Sequence, residues 1–168
     1  MKRILIVFLL VFISSPLIAQ KIGKNKRAAI ATIEKHEKEL IGVSDSIWAL
    51  AETAFEETVS AEILASIAEF NGFTVERGVA GMPTAFVATY GSGKPVISVL
   101  GEFDALPGIS QKAQPTKEPL NAGAAGHGCG HNLFGVASLA SAIAVKELIE
   151  EGKLKGTFKF FGTPAEEK

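Results

Sequence analysis

Apolar side chains recur at helical spacing over the stretch of chain that precedes the first predicted strand. A first helix is predicted over Asn25 to Leu40, and Gly42 is expected to end it. A second helix is predicted to begin near Ser44 or Asp45, because either side chain can accept hydrogen bonds from first-turn amides. A third helix is predicted over Ser60 to Asn71.

After the third helix the spacing of apolar residues becomes that of β-strands, and one long helix lies between the second and the third predicted strand. Strands are predicted over Thr84 to Tyr90, Val96 to Leu100 and Thr157 to Phe161, and the second reads as buried on both faces because it is continuously apolar. A helix over Leu133 to Glu151, capped by Asn132, is apolar almost all round and is therefore expected to be buried. The predicted class is α/β, a three-layer fold with a predominantly parallel sheet flanked by helices.

The residues that carry chemistry are concentrated in a glycine-rich stretch, Asn121 to Asn132. It contains Cys129, the only cysteine of the chain, and two of its three histidines, His127 and His131. A thiolate and imidazoles two residues apart suit a transition metal such as zinc or manganese. For His127 two readings stay open, ligation of a metal and a hydrogen bond to loop backbone or to a supporting carboxylate.

Carboxylates follow two of the predicted strands. Asp104 comes after the second strand, and Glu166 and Glu167 come after the last. At a strand end, one glutamate of a pair can bind a metal while its neighbour takes a proton from water. The alternatives are an acidic loop around Asp104 and a merely hydrophilic terminus around the two glutamates.

Composition and charge exclude several classes of protein. The chain has 168 residues, of which 47% are hydrophobic, so a folded domain with a core is expected and disorder is not. The formal net charge is -1, so the sequence lacks the excess of basic residues that is typical of nucleic-acid-binding proteins. A single cysteine cannot form a disulfide within the chain.

The N-terminus is typical of an exported protein. Lys2 and Arg3 precede an apolar run, Ile4 to Ile13, and Ala19 closes a candidate cleavage site, so residues 1–19 are predicted to be a signal peptide. The run is shorter than the roughly 20 residues that cross a bilayer, which makes an uncleaved anchor the alternative reading. We expect a periplasmic or extracellular protein with no stable membrane insertion after cleavage.

Five motifs in order resemble the metal-dependent amidohydrolases that include aminoacylases, glutamate-releasing carboxypeptidases and auxin-conjugate hydrolases. They are Trp48 to Glu57, Pro83 to Phe86, Glu102 to Pro107, Gly126 to His131 and Pro164 to Glu167. The amino-acid sequences of the third and fourth motifs are most similar to those of the aminobenzoyl-glutamate utilisation branch of this family. That branch hydrolyses an amide, so the resemblance implies hydrolysis of aminobenzoyl-glutamate or a related N-acyl amino acid or peptide.

The resemblance also implies roles for individual residues. Cys129, His131 and Glu167 match metal ligands, Glu166 matches the general base that activates water, and Asp104 matches an aspartate that supports the metal centre. The implied cofactor is a divalent metal, zinc or manganese, with two ions in a complete enzyme.

Family members continue well beyond the length of this chain. We therefore expect residues 20–168 to be the N-terminal part of a metallo-amidohydrolase catalytic domain, without the domain through which complete members oligomerise. The expected partner is a small amide substrate, and no nucleic acid is expected. Two other functions stay open: a catalytically incompetent exported fragment or non-enzymatic binding partner, and a redox-sensing thiol at Cys129.

Overall fold

The computed structural model describes residues 22–168, so the predicted signal peptide lies outside the described residues. Three helices come first: α1 (Lys24–Lys35), α2 (Glu37–Leu50) and α3 (Thr58–Phe70). The chain continues with β1 (Thr74–Arg77), a short 3-10 turn (Val79–Gly81), β2 (Phe86–Ser92), β3 (Val96–Glu102), α4 (His131–Glu150) and β4 (Gly156–Thr163).

The predicted boundary between the first two helices is wrong. The chain stays helical through Gly42, and the break lies at His36, whose φ of -95° and ψ of 3° are not helical. A glycine inside a helix costs only about 1 kcal/mol relative to alanine. Leu40 and Ile47, which flank Gly42 on the same helix, are buried, and their packing carries the helix across it.

The four strands form one sheet in the order β1-β2-β4-β3. The β3–β4 pair is parallel, whereas β1–β2 and β2–β4 are antiparallel. The α/β class is confirmed, but the sheet is mixed rather than predominantly parallel. The short turn between β2 and β3 reverses the chain, so β4, which runs parallel to β3, must be antiparallel to β2.

The apolar core lies between the helices and one face of the sheet. Side chains of β4 alternate between buried and half-buried, as expected for a strand with one covered face. The prediction that β3 is buried on both faces is wrong, since Val96, Ile97 and Leu100 are 58%, 55% and 53% exposed. Within residues 22–168, β3 pairs on one side only, and the second helical layer of the predicted three-layer fold is not found there.

Helix α4 is the central helix of the core. By length and composition it could cross a bilayer, with a mean hydropathy of 1.4, but 56% of that window is buried inside the protein, as in a core helix. It begins at His131, earlier than predicted, because Gly130 adopts a left-handed φ of 87° that turns the chain into the helix. Asn132 is therefore not the cap; its side chain donates to Ser44 Oγ at 3.0 Å.

Candidate metal centre

The parallel pairing of β3 and β4 brings the chemical residues to one rim of the sheet. Glu102 at the end of β3 is in register with Thr163 at the end of β4, so both strands end at the same height. Asp104 leaves the first strand there, and residues 166–167 leave the second. The N-terminus of α4, at His131, packs against the same rim. Carboxyl ends of strands in open α/β sheets are the usual place for a site.

Three predicted ligands meet at this rim. The candidate ligand atoms of Cys129, His131 and Glu167 all lie within 4.8 Å of one another. His131 Nε2 is 3.8 Å from Glu167 Oε1, close to the roughly 3.4 Å that separates two tetrahedral ligands of zinc. Glu167 Oε1 is buried and has no hydrogen-bond partner within the described part of the chain. A buried, unpartnered carboxylate oxygen beside a thiol and an imidazole fits a divalent cation.

Asp104 supports two of these ligands from behind. Its carboxylate is buried, and its Oδ1 accepts a hydrogen bond from His131 Nδ1 at 2.8 Å. Its Oδ2 accepts one from the backbone N–H of Glu167 at 2.9 Å. Because Nδ1 donates, the lone pair of the neutral imidazole is on Nε2, which faces the cluster. Asp104 thus fixes the His131 tautomer and the position of Glu167.

Glu166 lies on the open side of the cluster. Its side chain is 55% exposed, and its Oε2 is 3.8 Å from His131 Nε2. An open depression of about 540 Å³ adjoins it and is lined by Glu102, Cys129, Gly130, His131, Leu133, Phe134, Ala137 and Glu166. A substrate in this depression would reach both the ligands and the Glu166 carboxylate.

Cys129 lies just before the N-terminus of α4, but the carboxylates around it dominate its electrostatics. The neighbouring Glu167 carboxylate, as an acceptor for the thiol proton and as a negative charge, is the main cause that raises the pKa of the Cys129 thiol; burial and the charges of Glu166 and Asp104 contribute less. The surrounding carboxylates therefore outweigh the partial positive charge of the helix end. A bound cation would supply the positive charge that the thiolate lacks here.

His127 does not belong to the cluster of ligands. Its Nε2 lies 3.1 Å from the carbonyl oxygen of Ile47, so this nitrogen carries the proton and donates. Burial lowers the pKa of the His127 imidazole below its ordinary value. Of the two readings left open by the sequence, the structure shows the hydrogen bond to backbone.

Two glutamates in the loop before α3 also serve this rim, and sequence reasoning gave them no role. Glu52 accepts hydrogen bonds from the backbone amides of Val59 and Ser60 at 3.0 and 2.8 Å, which caps α3. Its own carbonyl oxygen accepts from the amide of Ala105, next to Asp104. Glu57 is fully buried and reaches the segment after β4. A carboxylate shortly before a helix start is a weak signal for a cap; nothing in the sequence marks the contacts of Glu57.

Parts of the chain are similar to known proteins. Residues 99–168 match the model for Peptidase family M20/M25/M40. The chain is 51% identical over 138 residues to a p-aminobenzoyl-glutamate hydrolase component from Escherichia coli (strain K12), one of that enzyme's subunits, covering 80% of this chain and 28% of that protein. It is 29% identical over 154 residues to the Xaa-Arg dipeptidase of Mus musculus, covering 84% and 32% of the two chains.

Among solved structures, the chain is similar to the Bacillus subtilis YXEP protein, described as a dinuclear metal binding peptidase from the M20 family. The TM-score is 0.67 at 25% identity, covering 80% of this chain and 36% of that one. The resemblance to metal-dependent amidohydrolases that the motifs predicted is confirmed by these matches, of which the family model covers residues 99–168. The chain spans 28% and 32% of the length of the two curated relatives.

Proposed function

We propose that this chain supplies the metal-binding and proton-transfer residues for hydrolysis of an amide bond in p-aminobenzoyl-glutamate or a related N-acyl amino acid or peptide. The observation that carries the proposal is the convergence of Cys129, His131 and Glu167 at one rim, with Glu166 beside them. The 51% identity to a component of a p-aminobenzoyl-glutamate hydrolase supports the substrate class.

The residues divide the chemistry between them. A divalent metal held by Cys129, His131 and Glu167 would supply Lewis acidity toward the amide carbonyl and toward water. Glu166 is the general base: its exposed carboxylate takes a proton from the attacking water and returns it to the departing amine nitrogen. Asp104 holds His131 in the tautomer that leaves Nε2 free.

The donor set bears on the identity of the metal. One sulfur, one nitrogen and one oxygen donor suit zinc, and manganese is the second candidate. Three protein ligands with an open position is the number that catalytic zinc sites use. We propose zinc or manganese at this site and a second ion in the complete enzyme, a proposal that the dinuclear description of the Bacillus subtilis relative supports.

The partners and the compartment belong to the same proposal. The Escherichia coli relative is named as one subunit of its enzyme, which supports assembly with a companion chain. Exposed Leu133 and Phe134 beside the cluster suit a substrate with an apolar or aromatic acyl group. Export to the periplasm or the extracellular space rests on the sequence of residues 1–19 alone.

The test places this chain in a whole enzyme. A chimera carries the chain in place of the matching 138 residues of the Escherichia coli relative, with the companion chain co-expressed. We expect the chimera to bind metal and release p-aminobenzoate from p-aminobenzoyl-glutamate. Glu166→Gln is expected to abolish turnover while leaving the metal content unchanged.

Two results would contradict the proposal. A folded chimera that binds no zinc or manganese would remove the metal site. A Glu166→Gln chimera that turns over at the wild-type rate would show that Glu166 is not the base. Glu151→Gln serves as the matched control, because Glu151 is exposed and distant from the rim.

A further inference from the structure

We propose that Glu57 is a positioning residue for Glu166, holding in place the backbone that carries it; the inference rests on the proposed function, in which Glu166 is the general base. Glu57 lies just before α3, and Glu166 lies beyond β4, more than a hundred residues later. Nothing in the family match, which begins at residue 99, assigns a role to Glu57.

The burial of Glu57 is the first observation. Glu57 has 0% exposure, and among the acidic residues of the described chain only Asp104, at 1%, is comparably buried. A buried carboxyl group is costly unless donors satisfy its oxygens. Two donors do so: the Thr84 hydroxyl at 3.2 Å from Oε2, and the backbone N–H of Ala165 at 2.8 Å from Oε1.

The backbone that Glu57 holds is unusual. Ala165 has a φ of 58°, in the left-handed region that an alanine rarely adopts. Such a conformation persists only where the surroundings determine it. The hydrogen bond from Ala165 N–H to Glu57 is the contact that fixes this amide, and Glu166 is the next residue along the chain.

Glu166 is held from both sides in this way. Glu57 accepts from the amide of Ala165, and Asp104 accepts from the amide of Glu167. Glu166 itself is more than half exposed. Within residues 22–168 its carboxylate makes no hydrogen bond, and its Oε2 lies 3.8 Å from His131 Nε2. The direction of the Glu166 side chain therefore depends on the position of its backbone. Glu57 and Asp104 are the two buried groups that fix that backbone.

The first test measures amide hydrogen exchange by NMR in the chain itself and needs neither metal nor substrate. We expect the amides of Ala165 and Glu167 to exchange slowly although they lie outside any strand or helix, and the amide of Glu166 between them to exchange fast. In Glu57→Met, which fills the same space without an acceptor, the Ala165 amide should exchange fast while core amides of α4 stay protected. An unprotected Ala165 amide in the wild-type chain would overturn the inference.

The second test measures turnover in the chimera described above. Glu57→Met is expected to lower kcat by about 10- to 100-fold through misplacement of the base, with KM and metal content unchanged. Glu57→Gln should rescue kcat, because the amide oxygen of glutamine can still accept from Ala165. Thr84→Val is the matched control: it removes the other hydrogen bond of Glu57 and should leave kcat close to wild type.

The outcomes separate this inference from the proposed function. If Glu166→Gln abolishes turnover and Glu57→Met does not lower kcat, the positioning role fails and the proposed function stands. If Thr84→Val lowers kcat as much as Glu57→Met, the effect is general destabilisation and the positioning role fails as well. If Glu166→Gln leaves turnover intact, the proposed function fails. The exchange rate of the Ala165 amide, compared between the wild-type chain and Glu57→Met, then tests separately whether Glu57 fixes that part of the backbone.

Discussion

Replacing Asp104 with asparagine is the sharpest perturbation of the candidate metal centre. Both oxygens of Asp104 accept hydrogen bonds, one from His131 Nδ1 and one from the Glu167 amide. Asparagine keeps the shape but has one oxygen and one NH2 group, so one of the two donors must then face another donor. Leaving a buried donor unpaired costs about 1–3 kcal/mol.

Either orientation of the asparagine damages the site. If its NH2 group faces His131, the imidazole is driven to the tautomer with the proton on Nε2, which then cannot bind a metal. If it faces Glu167, the backbone of that ligand loses its anchor. Loss of such a supporting partner lowers metal affinity about 10- to 100-fold, which corresponds to about 1.4–2.7 kcal/mol.

The assay is a zinc competition titration against a chromophoric chelator, with circular dichroism to confirm that the fold is retained. Asp45→Asn is the matched control, because it makes the same charge change at an exposed position of α2. We expect Asp104→Asn to raise the zinc Kd within the range above and Asp45→Asn to leave it unchanged. A folded Asp104→Asn chain with the wild-type Kd would refute the reasoning about the tautomer and the Glu167 anchor.

Two further predictions concern stability and are measured by chemical denaturation. The Thr32 hydroxyl donates a hydrogen bond to Glu147 at 2.5 Å, and this bond is the largest cause that lowers the pKa of the Glu147 carboxyl. The bond therefore stabilises the fold at pH values above the pKa of Glu147 in the unfolded chain, and this stabilisation is lost as pH falls through the lower pKa of the folded chain. Thr32→Val should therefore cost about 0.5–1.5 kcal/mol at neutral pH and progressively less in acid; a cost independent of pH would contradict this. A Cβ on Gly162 would lie 2.1 Å from the buried ring of Phe86, so Gly162→Ala should destabilise by about 1–3 kcal/mol. Gly42→Ala, in open space within α2, should instead stabilise by about 0.5–1 kcal/mol; equal effects at the two glycines would refute the packing argument.

Much of the candidate site could be predicted from the sequence because it depends on local pattern. The long apolar helix and the strands around it have strong periodicity, and a strand–helix–strand unit favours a parallel pair whose ends share a rim. That pairing is what places Cys129 and His131 near Glu167, and it is confirmed in the β3–β4 register.

The rest depends on contacts that periodicity does not encode. The apolar composition of Val96 to Leu100 predicted a central strand, yet the order of strands leaves β3 at the edge of the described sheet. Glu57 stands beside another glutamate in a polar stretch, and its partner Ala165 is 108 residues away. The raised pKa of Cys129 likewise reflects three carboxylates brought in from distant segments.

The central claim is that Cys129, His131 and Glu167 together hold a metal ion. The most direct measurement is a cobalt(II) titration of the chain, followed by absorbance, because a thiolate bound to cobalt produces a charge-transfer band that oxygen and nitrogen ligands do not. We predict a band that saturates at one equivalent and is absent in Cys129→Ser, while the fold is unchanged. A chain that develops no such band, or a Cys129→Ser variant that develops the same one, would contradict the assignment of the site.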